Sequence, residues 1–241
     1  MSLRESLLKE VYNGMEGKNG SIPFPLAKLD NYLEIAKNTN YLLVADTGGG
    51  KSSMAQDMIL NTLNWYYKYG DSGIKLSVIY FGMERKQYMY SAKWVSRMIF
   101  ENEGILIPSK KILGRKRVEG EVIKLTPEEL KLVEKYSEIF DMWEKDDTFL
   151  CIEGTHNPTG IKIFIDEFAK RNGKTSPRKE GALEKSTYVP NHPNHITLII
   201  TDYVGVLDPE KDENGQKKLR LDKFSWIMRR ARDLYGFSPL N

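Results

Sequence analysis

Apolar residues in this chain cluster in two rhythms that alternate along its length. Short continuous apolar runs occur at Tyr41–Ala45, Ser77–Phe81, Phe149–Ile152 and Ile196–Thr201. Runs of that length bounded by turn residues predict buried strands. Between them the apolar positions recur at helical spacing. Lys51–Lys68 places Met54, Met58, Ile59, Leu63 and Tyr66 on one face, and Gln87–Phe100, Ile161–Arg171 and the basic stretch Leu219–Tyr235 follow the same rule. Thr126-Pro127-Glu128-Glu129 sets an N-cap, a first-turn proline and a capping-box glutamate in order, so a helix starts there. Leu26–Ala36 predicts a further short helix. The segment 172–194 is polar, rich in proline, glycine and lysine, and without period, which predicts an exposed, mobile loop inserted in the domain. Strands alternating with helices predict an α/β fold: a mostly parallel sheet flanked by helices on both faces. Residues 1–21, with one short helical pattern at Leu7–Tyr12, read as an N-terminal arm or linker. Residues 22–241 read as one domain.

Composition narrows the setting. The chain has 241 residues, 40% hydrophobic and 29% charged, enough for one α/β domain with a substantial core. No apolar run approaches the ~20 residues of a membrane span. The N-terminus lacks an apolar signal core, and Cys151 is the single cysteine, which suits a reducing, intracellular compartment. A net charge of +3 is too slight to announce a nucleic-acid partner.

The sharpest chemical signal is Ala45-Asp46-Thr47-Gly48-Gly49-Gly50-Lys51-Ser52-Ser53, between a predicted strand and a predicted helix. Glycines let the backbone curl so that its amides converge on phosphates, and the helix N-terminus adds positive potential. Lys51 is placed to reach the β and γ phosphates of ATP, and the Ser52 hydroxyl to join the Mg2+ shell. The common pattern opens with glycine where this chain has Ala45. Two carboxylates complement the loop. Asp202 ends the apolar run Ile196–Thr201, at the rim where open α/β sheets bind ligands, and is assigned to the Mg2+ shell through water. Glu84 follows the run Ser77–Phe81. On position alone it reads either as the residue that orients the attacking water or as a first-turn glutamate favoured by the helix dipole.

The ordered set resembles the RecA-type ATPase domain of DnaB-type replicative DNA helicases, particularly the phage versions. Ile22-Pro23-Phe24-Pro25-Leu26-Ala27-Lys28-Leu29-Asp30 is similar to the stretch before the family's phosphate loop, which is also alanine-initiated. Val78-Ile79-Tyr80-Phe81-Gly82-Met83-Glu84 resembles the segment ending in the catalytic glutamate. Ile152-Glu153-Gly154-Thr155 with Pro158-Thr159, and then Ile199-Ile200-Thr201-Asp202-Tyr203, resemble the two segments that lead to the magnesium aspartate. The resemblance implies a RecA-like P-loop NTPase core, ATP and Mg2+ as cofactors, and Glu84 and Lys51 as catalytic residues. It also implies assembly into a ring, a hexamer when complete, acting on single-stranded DNA in the cytoplasm of a bacterial or phage-infected cell. Primase or a helicase loader are the implied protein partners. The family's N-terminal helical domain has no counterpart in residues 1–20. Residues Phe237–Asn241 fall where the family enters another core strand. The polar sensor, a DNA-contacting loop and the arginine finger follow that strand in the family and are not located here, so the last core strands are expected to be lacking and hydrolysis weak.

In the family, loops inside the ring hold DNA phosphates, which makes Lys217, Lys218 and Arg220 the candidates for nucleic-acid contact. Arg229, Arg230, Arg232 and the basic run Lys110–Arg117 come after them. Acidic residues such as Asp208 and Glu210 are interspersed, and runs of this kind are more commonly a solvated charged surface. His156, His192 and His195 read as surface or loop residues. Two other readings stand beside the helicase: a RecA-fold assembly or regulatory ATPase without unwinding, and an inactive nucleotide-binding scaffold.

Overall fold

A computed structural model describes residues 2–17, 19–26, 28–46, 48–70, 73–154, 157–180, 183–210 and 216–241. In chain order the elements are α1 (Leu3–Met15), β1 (Ser21–Pro23), β2 (Glu34–Ala36), α2 (Lys51–Lys68), β3 (Lys75–Gly82), α3 (Gln87–Glu103), α4 (Ser109–Ile112), β4 (Arg117–Val118), β5 (Glu121–Val122), α5 (Pro127–Lys145), β6 (Phe149–Ile152), α6 (Pro158–Asn172), β7 (Gly173–Glu180), β8 (Leu183–Pro190), β9 (His195–Asp202), α7 (Lys217–Tyr235) and β10 (Ser238–Leu240).

The central sheet is parallel, in the order β10-β9-β3-β6. Residues Tyr41–Leu43 run beside β10: the amide of Tyr41 donates to Pro239 O and that of Leu43 to Asn241 O, both at 2.8 Å. The strand expected over Tyr41–Ala45 is therefore a sheet edge rather than a buried run. Leu42 and Val44 on that edge are 73% and 77% exposed. The strand anticipated at Phe237–Asn241 does form, as β10, and separates this edge from β9.

Alternation along β3 and β9 sorts side chains into two cores. Leu76, Val78, Tyr80, Leu198 and Ile200 pack with α2, α3 and α5. Ile79, Phe81 and Ile199 pack with α6 and α7 on the opposite face. Both faces are sealed, which is why these strands read as continuous apolar runs. The Thr126 capping box forms as expected: the Glu129 amide donates to Thr126 Oγ1 at 3.2 Å, and the Thr126 amide to Glu129 Oε2 at 2.8 Å.

Two segments depart from expectation. Leu26–Ala36 is not a helix. It is a pair of turns leading into β2, which pairs antiparallel with β1 so that Ile22 and Ile35, opposite each other, are both buried. The segment expected to be an aperiodic loop is the hairpin β7–β8, in register from Gly173↔Pro190 to Glu180↔Leu183. Its anchor is Tyr188, which packs edge-on against Tyr235 and Phe237 and donates to Ala169 O at 3.1 Å. Helix α1 buries none of its residues. Among the described residues no helix is long and apolar enough to cross a membrane.

Candidate functional site

The loop between Tyr41–Leu43 and α2 turns on glycine. Gly48 and Gly50 have φ of 80° and 83°, the left-handed region that disfavours side chains. A Cβ on Gly49 would sit 3.0 Å from both Ala45 Cβ and Asp46 O, so a side chain there would press the turn apart. The Gly49 amide donates to Asp46 O at 2.9 Å. Lys51 folds back over the loop, donating to Ala45 O and, at 3.0 Å, to Asp46 O. Thr47 lies outside the described residues.

Gly48, Gly49, Gly50, Lys51, Ser52 and Ser53 line a cleft of about 300 Å³, and its far wall carries Glu84 and Tyr203. Glu84 lines this cleft although β3 does not neighbour the edge at Tyr41–Leu43. Strands β9 and β10 lie between them. The Met83 amide donates to Asp202 O at 3.0 Å, which ties the exit from β3 to the end of β9 and so to the cleft.

Asp202 is 3% exposed. Burying a carboxylate is costly unless its oxygens are hydrogen-bonded. Here each oxygen has a partner: Ser52 Oγ donates to Oδ1 at 2.8 Å and Tyr80 Oη to Oδ2 at 2.9 Å. Burial, with the Asp202 carboxylate adding to it, pushes the Tyr80 phenol's pKa far up, so the hydroxyl remains a donor. Sequence reading missed Tyr80. Its only trace was a hydroxyl-bearing aromatic inside an apolar run, two positions before Gly82.

The arrangement suits a magnesium–triphosphate group. A serine hydroxyl and a carboxylate are the hard oxygen donors Mg2+ takes, with water and phosphate completing the shell. Cβ atoms built on Gly48 and Gly50 would meet nothing within 4 Å, so the loop presents bare backbone to open space.

The DNA candidates divide. Lys217 and Lys218 are exposed at the start of α7, whereas Arg220 is half-buried and donates to Leu207 O. Arg229 and Arg232 line a second, more apolar cleft of about 610 Å³ with Leu42, Val44, Phe224 and Met228. His195 is not a surface residue. It is 6% exposed at the start of β9, with Nε2 2.9 Å from Ser77 Oγ, and burial lowers its pKa to about 3. His156 lies outside the described residues.

No protein-family model matches the sequence, and no curated protein matches it. Among solved structures, a DnaB-like replicative helicase, described together with its interactions with primase, superposes with a TM-score of 0.58 at 16% identity, over 99% of this chain and 49% of that one. This chain thus spans about half the length of the structure it matches. At that identity the likeness is one of fold: a RecA-like core of the kind found in DnaB-like helicases.

Proposed function

We propose that this chain is the ATP-binding motor domain of a replicative DNA helicase, coupling ATP hydrolysis to movement along single-stranded DNA. The observation that carries the reading is the 2.8 Å contact between Ser52 and Asp202, residues 150 positions apart, made at a glycine loop whose cleft also holds Glu84. The DnaB-like fold supports the helicase part of the reading.

Magnesium and the triphosphate, when bound, supply charge neutralisation at the transferring phosphoryl group and the leaving group itself. The chain's residues do the rest. Lys51 exchanges its two carbonyl partners for the β and γ phosphate oxygens. Ser52 Oγ would be a ligand to the metal, and Asp202 would hold it through water. Glu84 orients the attacking water and accepts its proton. Amides of residues 48–53 cradle the phosphates at the positive end of α2. A neighbouring subunit in a hexameric ring supplies the arginine finger, and primase or a loader are the protein partners, in the cytoplasm of a bacterial or phage-infected cell. Lys217 and Lys218 are the residues offered to DNA phosphates, with Arg220 beside them.

The chain by itself is expected to bind ATP and turn it over slowly, and single-stranded DNA is expected to raise the rate. Calorimetry, an ATPase assay with and without DNA, and mass photometry test this. Protein with no DNA-stimulated hydrolysis and no ring would leave the helicase reading without support. Lys51→Ala is expected to weaken ATP binding by about 100-fold or more, since it removes a charged donor to two phosphates. Unchanged affinity would remove the phosphate-loop assignment itself.

A further inference from the structure

Ser52 and Tyr80 hold Asp202 from opposite sides, and only the first belongs to the phosphate loop. The β3–β9 register sets Tyr80 against Ile200 and Gly82 against Asp202, so Tyr80 and Asp202 are diagonal neighbours on adjacent strands. Tyr80 is 0% exposed, and its ring is held edge-on by Tyr90, with centroids 5.2 Å apart at 82°, and by Trp94 at 6.4 Å. The position directly opposite Asp202 is a glycine. A Cβ on Gly82 would stand 2.9 Å from Tyr80 Cε1 and 2.9 Å from Tyr90 Cε2. The missing side chain is what lets the Tyr80 ring lie across the strand end and bring its hydroxyl to Oδ2.

We propose that Tyr80 is a positioning residue for the magnesium carboxylate, fixing the rotation of Asp202 so that Oδ1 faces Ser52, which lines the cleft. The proposal rests on reading that cleft as a magnesium–nucleotide site. A carboxylate has about four lone-pair directions and turns about its Cβ–Cγ bond. With one oxygen anchored in the core, the other has a fixed aim, and the geometry the metal needs exists before it arrives.

The test is calorimetry of AMP-PNP binding with Mg2+ and with EDTA, on the whole chain, for wild type, Tyr80→Phe, Asp202→Asn and the double variant. Wild type is expected to bind more tightly with Mg2+. Tyr80→Phe keeps the ring and its packing. It is expected to lose about tenfold of the Mg2+-dependent affinity, leave the EDTA affinity unchanged, and have no further effect in the Asp202→Asn background. Gly82→Ala is expected to show the same pattern by displacing the ring, and it supplies the answer should Tyr80→Phe fail to fold. A merely structural hydroxyl would lower the melting temperature and leave the Mg2+ increment whole, and that result overturns the proposal. So does a Tyr80→Phe loss that persists in full beside Asp202→Asn. If wild type itself shows no Mg2+ increment, the magnesium-site reading fails first and takes this one with it.

Discussion

Strand β9 begins and ends on a buried polar side chain, and each is met by a hydroxyl from β3. At the first end His195 faces Ser77; at the last, Asp202 faces Tyr80. The two contacts are equal in length at 2.9 Å and both are sealed from water. They differ in what lies beyond. His195 pairs with Ser77 beside the Phe168 ring, with burial suppressing its charge. Asp202 has a second oxygen that reaches out of the sheet to Ser52 at the edge of an open cleft. Burial of a polar group is thus no sign of function by itself, nor is bordering a cavity, since His195 also lines a cleft, of about 400 Å³, with Lys37 and Tyr188. What sets Asp202 apart is its second partner, a residue of the glycine loop whose cleft also holds Glu84.

The largest expected effect tests whether the last end of β9 is a reaction site and not only a binding one. Glu84→Gln keeps the size and polarity of the side chain and removes the base. Positioned proton acceptors contribute about 10²–10⁴ in rate, so hydrolysis should fall by that factor while ATP affinity holds. Single-turnover ATPase measurements beside calorimetry separate the two. If rate and affinity fell together, Glu84 would be part of the binding wall, and the contrast between the ends would shrink to one of nucleotide affinity.

The next effect belongs to the first end and appears only in stability. His195 has a folded pKa of about 3 against an ordinary value of 6.5. Between those values the unfolded chain takes up a proton that the folded chain refuses, so stability falls as pH drops below about 6.5. From pH 7 to pH 5 this single group costs about 2 kcal/mol. Denaturant unfolding of His195→Gln should show a pH dependence shallower by that amount, with nucleotide binding unaltered at pH 7. A changed ATP affinity in this variant would break the distinction between the two ends.

What could be read in the sequence follows from where each signal resides. The glycine turn before α2, the Thr126 capping box, and the body of β3, β6 and β9 are set by neighbours a few residues apart, and they form where local chemistry placed them. The hairpin β7–β8 was illegible because its polar strands leave no apolar face to set a period of two, and its anchor at Tyr188 depends on Tyr235 and Phe237 far along the chain. The spacing of Leu26–Ala36 suggested a helix, but burial of Ile35 against Ile22 outweighed it. In the site, Lys51, Ser52, Glu84 and Asp202 stood out by residue type and position. Tyr80 did not, since a tyrosine within an apolar run looks like core until the register sets Gly82 opposite Asp202.

The smallest expected effect concerns DNA, and it sharpens the comparison by asking whether both ends of the sheet attract it. Lys217 and Lys218 begin α7, beyond the end of β9 that carries Asp202, and both are exposed. Arg220 spends its guanidinium on Leu207 O, so it has less to offer a phosphate. Each phosphate neutralised on a single strand contributes about 0.7 to the slope of log affinity against log salt. Replacing both lysines by alanine should therefore weaken single-stranded DNA binding several-fold and flatten the slope by about 1.4. Lys174, exposed on β7 two residues after Asn172, is a single-lysine control, and its loss should leave the slope alone. Fluorescence anisotropy with a labelled oligonucleotide across a salt series reads both. Equal losses from the two ends would mean that diffuse positive charge holds the DNA, and the lysines of α7 would lose their claim to a specific track.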